Sequence, residues 1–101
     1  MRKFKCILKR ADEPIGHMTW VSDTLRNLQI YVGGYIETVG VGEVIVICDE
    51  EGRLKGKPYN CTVRGISFVG DIIVCGSDIV NGNFDDIPIT LKDWKERYLN
   101  K

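Results

Sequence analysis

The amino-acid sequence predicts an α+β domain: an antiparallel-rich sheet of about five strands, one helix packed on a face of that sheet, and a C-terminal helix. Three observations predict this class. Short apolar runs recur along the chain, and glycine, proline or acidic residues separate them, as is typical of strands and turns. One stretch has apolar residues at helical spacing instead. A second stretch with a helix-capping residue follows near the end of the chain.

The first strand is predicted from alternation. Between residues 3 and 10, apolar and basic side chains alternate, namely Phe4, Cys6 and Leu8 against Lys3, Lys5 and Lys9. This pattern is typical of a half-buried strand with its lysines in solvent. Pro14 interrupts it, and residues 17–21 are predicted to form a short second strand.

A helix is predicted over residues 24–32, with Ser22 or Asp23 as its cap. Its apolar residues recur at helical spacing, at Leu25, Leu28 and Val32. Gly33-Gly34 should end it, because glycine readily adopts the left-handed conformation found after helices. Such a helix should cover one face of the sheet.

The middle of the chain predicts four more strands, over residues 35–39, 44–48, 66–69 and 71–75. The run from Val44 to Cys48 is apolar without alternation, which indicates a strand covered on both faces. The last two strands should form a close pair, with Gly70 as a tight turn or a bulge between them. Residues 76–88 are predicted to be a polar connection.

The C-terminal helix is predicted from Thr90, which can cap its start, and from the apolar face that follows. Three large side chains share that face, at Leu91, Trp94 and Tyr98. Trp94 should pack this helix against the rest of the domain.

Length and charge indicate the class of protein. The 101 residues suffice for one domain, residues 1–101, with a single core. Basic and acidic residues both number 14, so no whole-molecule field attracts nucleic acid or anionic membrane. The longest apolar run is far shorter than the ~20 residues of a membrane span, and the charged N-terminus lacks a signal peptide's apolar stretch. We therefore expect a cytoplasmic protein without a membrane partner.

The four cysteines predict no metal site. No two of them form C-x-x-C, and His17 is the one histidine, so the usual zinc ligand pairs are missing from the sequence. Cys6, Cys48 and Cys75 should be reduced, buried thiols within strands. Cys61 is expected in a loop with partial exposure, where a nucleophilic pair with His17 is a remote alternative.

Acidic pairs also fail to predict a metal. Glu50-Glu51 and Asp85-Asp86 lack the spaced oxygen ligands of a calcium loop, and solvated turns explain them. The sequence contains no phosphate loop, no dinucleotide fingerprint and no catalytic triad pattern. We therefore predict no catalytic residue, no cofactor and no enzyme activity.

Several segments carry a family resemblance through their order along the chain. They are Val32-Gly33-Gly34-Tyr35-Ile36-Glu37, Asp49-Glu50-Glu51-Gly52-Arg53-Leu54, Gly56-x-Pro58-x-Asn60 and Gly70-Asp71-Ile72-Ile73-Val74. Together they resemble a family of small proteins, a domain of unknown function carried by phages, plasmids and conjugative elements, notably of Gram-positive gut bacteria. The resemblance covers about residues 24–99. It implies an accessory protein of such an element.

The segment around Gly-x-Pro-x-Asn contains the candidate ligand-binding residues Lys57, Tyr59, Asn60 and Arg64. Tyr59 can stack on a base, Asn60 can present its amide to a base edge, and the two basic residues can attract phosphate. We hypothesise that these four residues line the entrance of one ligand pocket. An ordinary solvated loop, with Asn60 satisfying backbone groups, is the alternative.

These observations predict a non-enzymatic accessory protein that acts by binding. Counter-defence is the role that the resemblance suggests, through sequestering a nucleotide immune signal or blocking a host immune protein. The alternative is a nucleic-acid-associated protein in element replication or transfer, which would use Lys3, Lys5 and Lys9 together with the basic residues of the last helix, Lys92, Lys95 and Arg97. The sequence leaves a homo-oligomer open.

Overall fold

The computed structural model describes residues 2–100. In chain order, its strands are β1 Lys3–Lys9, β2 His17–Ser22, β3 Ile36–Val41, β4 Val44–Asp49, β5 Tyr59–Val63, β6 Ile66–Val69, β7 Ile72–Asp78, β8 Asn83–Asp85 and β9 Leu99–Asn100. Helix α1 spans Leu25–Val32, between β2 and β3. The short helix α2 spans Leu91–Asp93 and continues as a π-helical turn, Trp94–Tyr98, before β9.

Two antiparallel sheets form from these strands. The larger sheet has the order β2-β1-β7-β4-β3, with β8 added to the far part of β7. The smaller sheet has the order β6-β5-β9. Helix α1 packs on a face of the larger sheet, so the structure confirms the predicted α+β class with an antiparallel sheet of about five strands, one packed helix and a short C-terminal helix.

Both faces of the central strands of the larger sheet are buried. On one face, Leu28 and Val32 of α1 pack with buried side chains of β1, β4 and β7. On the other face lies the core between the two sheets, where Trp94 is fully buried and its indole Nε1 donates to the backbone oxygen of Ile15 at 2.9 Å. The predictions for the run from Val44 to Cys48 and for Trp94 are therefore confirmed.

Helix α1 is capped by a side chain at its N-terminal end and by a backbone N–H at its C-terminal end. The hydroxyl of Thr24, rather than Ser22 or Asp23, accepts from the backbone N–H of Asn27 at 3.1 Å. Gly33 has φ +80°, and its N–H donates to the backbone oxygen of Gln29, as predicted for the end of the helix.

Three details of the predicted architecture were wrong. Residues 59–63 form strand β5 rather than a loop, because β6 and β9 pair with them. Strands β6 and β7 do not pair with each other, since the chain passes at Gly70 from the smaller sheet to the larger one. The connection predicted over residues 76–88 contains the end of β7 and the strand β8, which pair through Gly76, Ser77 and Asp78.

The first strand also differs from its prediction, because the smaller sheet covers the end of the expected solvent face at Lys9. Lys9 is only 1% exposed, although the alternation placed it with Lys3 and Lys5 on a solvated face. Lys3 and Lys5 are exposed as predicted.

Candidate functional site

The Lys57 side chain contacts Asp49 and the end of helix α1 and does not line a ligand pocket with Tyr59. Its ammonium lies 2.7 Å from Oδ2 of Asp49, and it donates to the backbone oxygen of Val32 at 2.6 Å, at the C-terminal end of α1. Lys55 donates to the same carboxylate at 2.9 Å and to the backbone oxygen of Gly33 at 3.1 Å. We call these contacts the Asp49 latch. It ties the loop after β4 to helix carbonyls that have no partner within the helix.

The carboxylate of Asp49 is strongly stabilised in its charged form. Its side chain is 1% exposed, and that burial alone would raise its pKa. Hydrogen bonds from Lys55, Lys57 and the backbone N–H of Glu51 outweigh burial and hold the pKa of Asp49 well below its ordinary value. The latch therefore rests on an ionised, buried carboxylate.

Glycines leave the room that the Asp49 latch occupies. A Cβ on Gly34 would lie 2.6 Å from Oδ1 of Asp49, and a Cβ on Gly70 would lie 2.8 Å from Cδ of Lys57. A side chain at either position would displace a side chain of the latch, and Gly70 also has φ +71°, a conformation that other residues rarely adopt. The Gly-Gly-Tyr-Ile-Glu, Asp-Glu-Glu-Gly and Gly-x-Pro-x-Asn segments thus meet around one structural feature.

Asn60 is buried and fully hydrogen-bonded. Its Oδ1 accepts from the ammonium of Lys9 at 2.6 Å, and its Nδ2 donates to the backbone oxygens of Lys9 at 2.9 Å and Gly70 at 2.7 Å. The ammonium of Lys9 also donates to the backbone oxygen of Glu13 at 2.7 Å. These contacts join β1, β5 and the passage between the sheets. They give the Asn60 amide the structural role that the sequence left as an alternative.

A groove of about 530 Å³ lies beside Tyr59, and we call it the Tyr59 groove. Its walls are the β1–β2 connection, residues 11–15, the first three residues of β5, and the C-terminal segment through Lys95, Leu99 and Asn100; Lys9 also lines it. Tyr59 is 58% exposed, and its hydroxyl lies 2.6 Å from Oγ1 of Thr62. The groove thus has an exposed aromatic ring on one side and the exposed Lys95 on another.

Arg64 lies at the opposite end of β5, in the two-residue turn to β6. Both turn residues have positive φ, +45° for Arg64 and +86° for Gly65, as tight hairpin turns require. The guanidinium of Arg64 lies 3.8 Å from the centre of the Tyr98 ring, and its Nε donates to the backbone oxygen of Arg97. The side chain therefore fixes the turn to the C-terminal segment.

The four predicted site residues thus do not line one pocket. Tyr59 and Asn60 line the Tyr59 groove, whereas Lys57 belongs to the Asp49 latch and Arg64 to the β5–β6 turn. Ligand binding by these residues stays a prediction. Sequence reasoning did not associate Lys95 with Tyr59, and no local signal could do so, because the two residues lie on different elements far apart in the chain.

The thiols are buried. Cys61 is 7% exposed within β5, so the expected partial exposure was wrong. Burial raises the pKa of Cys61, and the nearby charge of Lys9 offsets part of that rise. Burial also raises the pKa of Cys6 and of Cys75 to about 12. A free thiolate is the nucleophilic form of cysteine, and these environments disfavour it.

The remaining charged candidates are dispersed. In the described part of the chain, no group of three or more histidine, cysteine or acidic side chains is arranged to hold a metal ion. Of the basic residues considered for nucleic acid, Lys9 and Lys95 both line the Tyr59 groove, but Lys9 is buried. Lys92 and Arg97 are exposed on the C-terminal segment.

Most of the chain matches a known protein family. A family model described as a domain of unknown function, DUF3846, matches residues 4–99. The chain belongs to the DUF3846 family. This match confirms a family of unknown function and extends the region of resemblance to the first two strands. No curated protein and no solved structure matched this DUF3846 chain.

Across residues 2–100, none of the helices combines the length and the apolar character that crossing a bilayer requires.

Proposed function

We propose that this DUF3846 protein is a non-enzymatic binding protein that holds an anionic nucleotide in the Tyr59 groove. The observation that carries the proposal is the exposed Tyr59 ring beside a groove whose other wall presents Lys95. Aromatic rings are stacking platforms for bases, and exposed ammonium groups attract phosphate. The groove volume of about 530 Å³ lies within the range of small-molecule sites.

Each wall of the groove has a separate part in this proposal. The base stacks on Tyr59, whose ring is oriented by the contact between its hydroxyl and Thr62. The phosphate lies toward Lys95, at the rim formed by the C-terminal segment. Asp12, which is exposed and also lines the groove, accepts hydrogen bonds from hydroxyl or amino groups. Asn60 supports the floor through its contacts to Lys9 and does not read the base.

The biological setting of the proposal is counter-defence on a phage or other mobile element. Sequestering a nucleotide immune signal fits a site that binds without catalytic groups. The resemblance to proteins carried by phages, plasmids and conjugative elements supports this setting, and blocking a host immune protein is the other version of the same role.

Isothermal titration calorimetry tests the nucleotide proposal directly. The titrants are ADP-ribose, cyclic ADP-ribose and cyclic dinucleotides, added to the wild-type chain and to Tyr59→Ala and Lys95→Ala. Stacking of a base is worth about 1–3 kcal/mol, so Tyr59→Ala should weaken binding by roughly 5- to 150-fold. The matched control is Tyr35→Ala, which removes a tyrosine that is 66% exposed outside the groove.

Two outcomes would contradict the proposal. One is the absence of heat with every nucleotide at concentrations up to about 1 mM, the weak end of specific affinities. The other is an equal loss of affinity in Tyr59→Ala and Tyr35→Ala, which would show that the ring beside the groove has no special part.

A further inference from the structure

A second cavity, of about 250 Å³, lies between the edges of the two sheets, and we call it the β3–β6 cleft. Strand β3 contributes Glu37 and Val39 to its lining, and all four residues of β6 line it. Among the residues that the structure describes, β3 pairs with β4 alone and β6 pairs with β5 alone. Each strand therefore has an unpaired backbone edge beside the cleft.

The smaller sheet does not fully cover the larger one at this cleft. Glu37 is the cross-strand partner of Cys48, which is buried between the sheets, so Glu37 and Val39 point to that side. Ile66 pairs with the buried Val63, yet it is 40% exposed. Because neighbouring strands lie about 4.8 Å apart, one added strand at the edge of β6 would cover this region.

The edge of β6 already accepts a hydrogen bond from outside the sheet. The Arg53 guanidinium donates to the backbone oxygen of Ser67 at 2.8 Å. That carbonyl therefore points away from β5, in the direction that an added strand would occupy. A backbone N–H of such a strand can take the place of the guanidinium.

The exposed charged side chains that line the cleft, two glutamates and one arginine, have a net charge of −1. Glu37 and Glu50 are exposed at its rim, where Arg53 is the opposing charge. The other acid that lines the cleft, Asp49, is already paired with lysines of the latch. An extended segment that carries lysine or arginine would complement this rim.

We propose that the β3–β6 cleft binds an extended, basic segment of a partner protein, which adds to the edge of β6 as a further strand. Its backbone pairs with β6, and on its inward face apolar side chains cover Val39 and Ile66 while basic side chains at either end face Glu37 and Glu50. None of the residues that line this cleft lines the Tyr59 groove. Partner docking and nucleotide binding are therefore separable.

A designed peptide tests this proposal. The probe is a fluorescein-labelled peptide, acetyl-Lys-Thr-Val-Thr-Val-Thr-Lys-amide, in which lysine and valine share one face of the strand, and its binding is followed by fluorescence anisotropy. It should bind the wild-type chain with a Kd below about 1 mM, and the glutamate analogue should bind at least about tenfold more weakly. A peptide N-methylated at alternate residues keeps its charge but loses one backbone edge, and it too should bind at least about tenfold more weakly.

Protein variants locate the peptide. Glu37→Lys should reduce the affinity at least about tenfold, whereas Glu43→Lys, an exposed acid outside the cleft, should leave it unchanged. Arg53→Ala removes both a like charge and the competing donor, so it should raise the affinity by about threefold. Thermal unfolding of each variant shows whether the fold is kept. Amide NMR shifts should centre on Ile66–Val69.

Several results would overturn the proposal. They are no binding of the lysine peptide, equal binding of the N-methylated peptide, equal effects of Glu37→Lys and Glu43→Lys, unchanged or lower affinity in Arg53→Ala, or NMR shifts centred on the edge of β2. A concentration-dependent dimer that Glu37→Lys dissociates would assign the cleft to a second copy of this chain instead.

Discussion

Replacing Lys57 by methionine should destabilise the fold, because the Lys57 ammonium joins the buried carboxylate of Asp49 to the backbone oxygen of Val32. The substitution keeps the stem that passes close to Gly70 and removes the ammonium from both Asp49 and the backbone oxygen of Val32. Hydrogen bonds to charged groups contribute about 1.5–3 kcal/mol each, and they are not additive. We therefore expect the free energy of unfolding to fall by about 3 kcal/mol.

The matched control is Lys55→Met. The Lys55 side chain is 40% exposed, against 22% for Lys57, and exposed ion pairs contribute about 1 kcal/mol or less. Urea unfolding followed by circular dichroism measures both variants. In thermal scans, a loss of 3 kcal/mol corresponds to roughly 12–24 °C in Tm for a chain of this size. A Lys57→Met variant as stable as Lys55→Met would refute the reasoning.

The same prediction has a pH dependence with a definite sign. The pKa of Asp49 is lower in the folded state than in the unfolded chain, so its ionisation stabilises the fold above the unfolded value of about 3.9. That contribution is lost as the pH falls from about 5 toward the folded pKa. In the Lys57→Met variant, Asp49 lacks the Lys57 ammonium that helps to lower its pKa. The free energy of unfolding of this variant should therefore change less than that of the wild type over the same acid range.

Three further predictions follow from other buried groups and from the alternative function. Asn60→Ala should lower the free energy of unfolding by about 3 kcal/mol in urea, since the buried ammonium of Lys9 loses its side-chain acceptor, and a loss below about 0.5 kcal/mol would contradict this contact. Cys61 should react with iodoacetamide no faster than the other thiols in the native protein and rapidly in urea, so fast native alkylation would argue for the enzyme hypothesis. If the protein acts on nucleic acid instead, its affinity for DNA should fall steeply with added salt in anisotropy titrations, and salt-independent binding would count against that function.

The elements predicted well were those whose signal is local. The unbroken apolar run from Val44 to Cys48 required cover on both faces, and β4 has it. Gly33 ended α1 because a left-handed residue satisfies the last turn of a helix. Strand β5 was missed because Pro58 and Asn60 are turn-forming residues. The signal that the sequence did offer was Gly65, a turn residue that follows the alternating Cys61, Thr62 and Val63.

The candidate site was harder to predict because its parts come from distant segments. Alternation assigned Lys9 to a face of β1 with Lys3 and Lys5, but it could not reveal that a second sheet covers the end of that face at Lys9. Lys57 and Tyr59 were grouped because they are close in sequence. In the structure, Lys57 in the loop contacts the backbone oxygen of Val32, whereas Tyr59 at the start of β5 contacts Thr62. Lys95 reaches the Tyr59 groove only through the packing of the C-terminal segment.

We assign Lys57 to the stability of the fold and Tyr59 to ligand binding. The most direct test measures both the free energy of unfolding and the nucleotide affinity of Lys57→Met and of Tyr59→Ala. Lys57→Met should lose about 3 kcal/mol of stability and keep wild-type affinity in calorimetry below its unfolding temperature. Tyr59→Ala should keep its stability to within about 0.5 kcal/mol, as exposed positions usually do, and lose affinity. The reverse result, with affinity lost in Lys57→Met and stability lost in Tyr59→Ala, would contradict the assignment of Lys57 to the Asp49 latch and of Tyr59 to the ligand.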